Sequence, residues 1–188
     1  MNRASCWPVV CAAIFLSCEW PFGPDSVDHE NLIPNPSFEQ NGRPSLEGWH
    51  VAGVDTALVN TAPGAPIPGN RYAASLLNGW GPLPSLQATI AVPAGLHRFH
   101  LSVWSKAESE GLSRSFASGS VRILTKVRDS LALCGTISFS DSLWTGHTML
   151  QTIDVGEGDT IIVSLSSGHT QWSGGRTLFD LVYFCRLD

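Results

Sequence analysis

Gly95-Leu96-His97-Arg98-Phe99-His100-Leu101-Ser102-Val103-Trp104-Ser105-Lys106 decides the fold class. Leu96, Phe99, Leu101 and Val103 supply one side of this run, and His100, Ser102, Trp104 and Lys106 the other. Side chains that change sides at every residue belong to a β-strand with one face in a core and the other toward solvent. Pro93-Ala94-Gly95 in front of the run is turn chemistry that delimits it.

Working outward, similar short runs recur at Tyr72–Leu77, Leu86–Val92, Ser120–Val127, Leu131–Phe139, His147–Val155, Thr160–Ser166 and Thr177–Leu187. Between them lie Gly, Pro, Asn and Ser, as in Gly156-Glu157-Gly158-Asp159, and helical spacing is almost nowhere sustained over three turns. So many strands at this spacing need two packed sheets. The expectation is an all-β, antiparallel two-sheet sandwich over residues 31–188 with no internal repeat.

The first eighteen residues differ from the rest. Arg3, an apolar stretch from Ala4 to Leu16, then Ser17 and Cys18 form a signal-peptide pattern. Phe15-Leu16-Ser17-Cys18 resembles a bacterial lipoprotein box, which implies that Cys18 carries acyl chains and holds the protein on a membrane of the cell envelope or surface. The other reading is ordinary cleavage and secretion. Residues 19–30 mix Pro, Gly, Asp and Glu without periodicity and read as a solvated tether.

Export sorts the five cysteines. Cys6 and Cys11 leave with the signal and Cys18 is the lipidation candidate, so Cys134 and Cys185 remain in the domain. An oxidising compartment favours a disulfide between them, and two separate buried thiols are the alternative. Cys134 alternates with Ala132 and Thr136, opposite Leu131, Leu133 and Ile137, while Cys185 shares parity with Phe179, Leu181 and Tyr183. The balance of 11 basic against 16 acidic residues, with no Lys/Arg stripe, excludes a nucleic-acid partner.

Asn31-Leu32-Ile33-Pro34-Asn35-Pro36-Ser37-Phe38-Glu39, followed by Gly48-Trp49, resembles the opening of the jelly-roll carbohydrate-binding modules of the cellulose- and xylan-binding group. Ser85–Ile90 is similar to the Gln-bearing strand of that family, Ala94–Ala107 to its Gly-x-Tyr-x-apolar-Ser-x-Trp-x-Lys strand, and Leu178–Leu187 to its last strand. The resemblance covers residues 31 to 187 and implies a galactose-binding-like jelly roll that binds a polysaccharide or oligosaccharide without cutting it. It also implies a structural Ca²⁺ between the opening segment and the last strand, with Glu39 and Asp180 as the matching carboxylates. Two acids need backbone oxygens or water to complete the shell of such a hard cation. Otherwise Glu39 is a solvated turn residue and Asp180 an edge-strand charge.

Sugar sites need flat apolar faces for the pyranose ring and planar polar groups for its hydroxyls. Of the seven tryptophans, Trp7 and Trp20 fall in the signal and tether. Trp80, in the turn Asn78-Gly79-Trp80-Gly81-Pro82, is the first candidate for a stacking platform, and Trp172, in the loop Gly168–Gly175, is the second. Trp104, on the polar side of its strand, is a further candidate to line a groove together with Gln87, burial under a loop being the alternative. Trp49 is expected in the core; Trp144 receives no assignment.

No convincing catalytic constellation appears. The sequence lacks a Gly-x-Ser-x-Gly elbow, and the acids Glu47, Asp55, Glu108, Glu110 and Asp141 mostly fall in loops with no pairing readable from sequence. His97 and His100, three apart on a strand, face opposite ways and do not share a zinc ion. The rival to sugar binding is an adhesion or structural role in which the tryptophans meet another surface protein. A glycoside-active enzyme would need facing acids in the groove.

Overall fold

The computed structural model describes residues 29–53, 59–78, 83, 85–109, 117–168 and 175–188. Its strands are β1 (Glu39–Gln40), β2 (Arg43–Pro44), β3 (His50–Ala52), β4 (Val59–Pro63), β5 (Tyr72–Leu77), β6 (Ser85–Ala91), β7 (Gly95–Ser109), β8 (Gly119–Val127), β9 (Ser130–Phe139), β10 (Thr145–Val155), β11 (Thr160–Ser167) and β12 (Gly175–Arg186). The expected runs appear as β5 to β12. The strands β1 to β4 were not anticipated, being short and, in β2 and β4, carrying proline.

Two five-stranded sheets form, β10-β7-β12-β5-β4 and β3-β6-β11-β8-β9, with a separate β1-β2 hairpin. All pairings are antiparallel. Alternation places Phe99, Leu101 and Val103 of β7 with Phe179, Val182 and Phe184 of β12 on the inner side of the first sheet. Leu86, Ala88 and Ile90 of β6, Val121 and Ile123 of β8, and Ile161, Val163 and Leu165 of β11 meet them from the second. Phe99 and Phe184 stack at 5.0 Å, and Phe139 meets Phe179 edge-on at 5.5 Å. Leu96 departs from the expected inner set: it pairs with Asp154, faces outward and is 68% exposed.

The opening segment lies along the second half of β12, where β5 no longer pairs with it. Leu32 N donates to Phe184 O, Val182 N to Pro36 O, and the Asn31 side chain joins both Val182 and Phe184. Trp49 is buried against Phe38, its indole N–H donating to Asn35 O at 2.9 Å, which agrees with the core role expected for it. At the boundary with the expected tether, Tyr183 donates its hydroxyl proton to His29 O.

Two β-bulges reset the side-chain alternation. In β12, Asp180 opposes Trp104 and Tyr183 opposes Ser102, so three steps on one strand match two on the other, with Leu181 at φ 49°. Phe179 therefore points into the core while Tyr183 and Cys185 face outward, against their expected common parity. In β9, Gly135 opposes Ile123 and Leu133 opposes Leu124, which leaves Cys134 as the extra residue. Leu131 and Leu133 are thereby turned out, 56% and 60% exposed, whereas Ile137 packs on the core.

These shifts decide the cysteine question. Cys134 belongs to the second sheet, with its thiol 3.6 Å from Thr125 Oγ1, and Cys185 lies on the outer side of the first. Both are free thiols, and the disulfide is not formed. Burial pushes the Cys185 thiol above its ordinary pKa.

Candidate functional site

Residues paired across strands share a face, so the register of the second sheet defines its outer surface row by row. Ala52, Ser85, Ser166, Ser120 and Ser138 form one row across β3, β6, β11, β8 and β9. Two residues along each strand, His50, Gln87, Ser164, Arg122 and Thr136 form the next. Beyond them the row of Thr89, Ile162, Leu124 and Leu133 is largely aliphatic. The alternation Ser120-Val121-Arg122-Ile123 produces this surface locally, because Val121 and Ile123 are drawn into the core and their polar neighbours are left outside.

A cavity of about 300 Å³ opens at the serine end of this face, lined by Leu83, Ser118, Gly119, Ser120, Arg122, Ser138, Phe139, Ser166, Ser167 and Gly168. Its floor requires small residues. A Cβ on Gly119 would sit 2.6 Å from Thr177 Cγ2 and 2.7 Å from Phe139 Cε2, and one on Gly168 would overlap Ser118 Oγ at 1.9 Å. Gly168 N donates to Ser118 O at 2.6 Å, Ser167 Oγ to Leu77 O at 2.9 Å and Thr177 Oγ1 to Ser118 O at 2.8 Å. The first joins β11 to β8 within the second sheet, and the other two tie the two sheets together behind the cavity.

Gln87 lies on this face, its amide donating to Ser85 Oγ at 2.9 Å and so joining the two polar rows. Trp80 and Trp172 lie outside the described residues, as does Cys18. Leu83, shortly after Trp80 in the chain, and Gly168, shortly before Trp172, both line the cavity. The serines and Arg122 were not singled out from sequence. The signal available was the polar half of the β8 alternation, which becomes a site only when β6, β9 and β11 supply its neighbours.

Trp104 is elsewhere. It pairs with Gly146 and Asp180 on the outer side of the first sheet, so the full thickness of the sandwich separates it from Gln87, and the groove expected to hold both does not exist. Its indole lies over Gly146, where a Cβ would come 3.4 Å from Cε2. Trp144 packs against the buried cluster of Ala62, Ala73 and Leu178. On the same outer face Glu108 accepts from Lys106 at 2.8 Å and from Arg176 at 2.7 Å. Burial opposes ionisation of Glu108, but the two cations outweigh it and lower its pKa.

The expected metal pair does come together. Glu39 Oε1 accepts from the backbone N–H groups of Arg71 and Tyr72, the latter at 2.7 Å. Asp180 is 0% exposed, accepts from Leu181 N at 2.8 Å and lies 3.3 Å from the Asn70 amide. Burial, opposed by the two hydrogen bonds and aided by the nearby Glu39 charge, pushes its pKa up to about 7. No ion pair joins Asp180 to a cationic side chain among the described residues. His97 and His100 face opposite ways as expected: His97 Nδ1 is 2.8 Å from Asp188, while His100 pairs on the outer side with Cys185.

No family model matches the chain, and no curated protein sequence matches it. Solved structures do. TmCBM61, in complex with β-1,4-galactotriose, superposes with a TM-score of 0.56 at 18% identity over 84% of this chain and 99% of its own. The chain shares the jelly-roll fold of a carbohydrate-binding module. The CBM22-1 xylan-binding domain of Paenibacillus barcinonensis Xyn10C gives 0.55 at 14% identity, covering 85% of this chain and 96% of its own. A family 16 carbohydrate-binding module gives 0.54 at 17%, covering 82% and 99%. At these identities the likeness concerns the jelly roll itself, and the site must be argued from its own residues.

Proposed function

We propose that this protein is a non-catalytic polysaccharide-binding module that uses the outer face of its second sheet. The observation that carries this reading is the hydroxyl-lined cavity bordered by Arg122 and continuous with the row of Gln87. Serine hydroxyls both donate and accept, and the amide and guanidinium groups are planar, so the face matches the alternating donors and acceptors of a sugar. The solved modules of the same fold bound to galactotriose or named as xylan-binding support it. Trp80 and Trp172, close in sequence to the cavity-lining Leu83 and Gly168, would supply the stacking faces that the described part of the sheet lacks.

Ca²⁺ would be held by Asp180 and Glu39, with backbone carbonyls or water completing its shell. The chemistry fits, since a buried carboxylate beside a second carboxylate lacks a cationic neighbour among the described residues. Its role would be to fasten the opening segment to β12. Export, with Cys18 lipidated at the cell envelope, is part of the same proposal and rests on the leader sequence; Cys18→Ala should release the protein from the membrane fraction.

A second reading, adhesion to a surface protein, draws on the exposed Leu131 and Leu133 of the edge strand β9. A glycan-binding screen with and without chelator separates the two. Saturable binding weakened about tenfold by Gln87→Ala or Trp80→Ala supports the sugar face, as expected for loss of a hydrogen bond or stacking contact. Silence across a broad panel from the folded protein would favour the protein partner.

A further inference from the structure

We propose that the cavity on the second sheet selects an anionic polysaccharide, whose carboxylate or sulfate group is held by Arg122 among the serine hydroxyls. This rests on the polysaccharide reading above and sharpens it. Arg122 is exposed on β8, between β11 and the edge strand β9, and forms no ion pair with a described residue, whereas Lys106 and Arg176 on the opposite sheet are both engaged by Glu108. A guanidinium offers a planar fork that pairs in bidentate fashion with an oxyanion. Ser120, Ser138 and Ser166 present hydroxyl donors beside it.

The surroundings favour the same charge. The chain carries 16 acidic residues against 11 basic ones, yet no carboxylate belongs to the described residues that line the cavity or form the outward rows of this sheet. Described acids lie instead in turns, such as Asp129, Glu157 and Asp159, or on the first sheet, as Asp154 and Glu108 do. Lys126, four residues beyond Arg122 and on the same side of β8, adds a second cation roughly 13 Å along the face. A neutral glycan has no use for this charge asymmetry, while a polyanion is attracted by it.

The test measures binding of the full-length protein to polygalacturonate, dextran sulfate, neutral β-1,4-galactan and xylan at low and high salt. The wild type is compared with Arg122→Gln, Arg122→Lys and, as a control on the opposite sheet, Arg98→Gln. Expected is an acidic polymer bound at least about tenfold more tightly than the neutral ones, with an affinity that falls as salt rises. Arg122→Gln should remove that advantage at unchanged melting temperature, Arg122→Lys should keep part of it, and Arg98→Gln should leave it intact. Whichever of polygalacturonate and dextran sulfate binds more tightly identifies the anion as carboxylate or sulfate. Neutral polymers bound as tightly as acidic ones, or equal losses in Arg122→Gln and Arg98→Gln, would overturn the anionic assignment and leave polysaccharide binding standing. Failure of all four polymers to bind would overturn both.

Discussion

The two outer faces of the sandwich are built by the same alternation and end up chemically opposite. On the first sheet, Trp104 lies over Gly146, Trp144 packs on Ala62, Ala73 and Leu178, and the Lys106, Glu108 and Arg176 charges are mutually satisfied. On the second, serines and Arg122 border an open cavity, Gln87 shares the row of Arg122, and none of them forms an ion pair among the described residues. Polar groups already paired within the protein have little left for a ligand, so binding capacity sits where hydrogen-bonding groups remain unspent. Aromatic content alone is therefore a poor guide here, because among the described tryptophans Trp104 and Trp144 serve the more self-satisfied face and Trp49 the core.

The largest effect is expected from removing what both faces rest on. Phe184→Ala deletes a fully buried ring stacked on Phe99 and should cost about 3–5 kcal/mol in chemical denaturation, with binding lost in parallel. A loss below about 1 kcal/mol would mean that the two sheets do not share one core.

Next in size is the pH response of the first sheet. Asp180 has a folded pKa of about 7 against an ordinary 3.8. The folded state therefore binds more protons than the unfolded one between those values. In chelator, stability should be greatest near the lower one and fall, by a few kcal/mol at most on the order of the shift, as pH rises toward about 7. Ca²⁺ should compete with the proton and flatten the decline, and Asp180→Asn should abolish it in melting experiments. A decline unchanged in Asp180→Asn would assign it to other groups.

Smaller effects distinguish the faces directly. Gly119→Ala would push a methyl group against Thr177 and Phe139 and should cost about 1–3 kcal/mol by overpacking, with affinity reduced at the cavity. Trp104→Ala should lower the melting temperature while leaving glycan affinity within about twofold; a tenfold loss of affinity would put the ligand on the wrong face in our reading. Least of all, Lys106→Met removes one partly exposed ion pair and should change stability by about 0–1 kcal/mol with no effect on binding.

The all-β class, the eight long strands and the inward side of Phe99, Leu101 and Val103 were legible in the sequence alone, because strand alternation is a local property carried by neighbouring residues. The sequence also pointed to Glu39 and Asp180 as neighbours and to Trp49 as core, through a resemblance spread over the whole domain. Only the tertiary structure decided that Gln87 and Trp104 occupy opposite outer faces, since an outward side chain does not reveal which sheet its strand will join. Only the structure placed Cys134 and Cys185 apart and exposed Leu131 and Leu133, since one extra residue at a bulge inverts every side chain beyond it. Arg122 acquired its surroundings in the same way: strand pairing between residues far apart in the chain set the serines of β9 and β11 beside it.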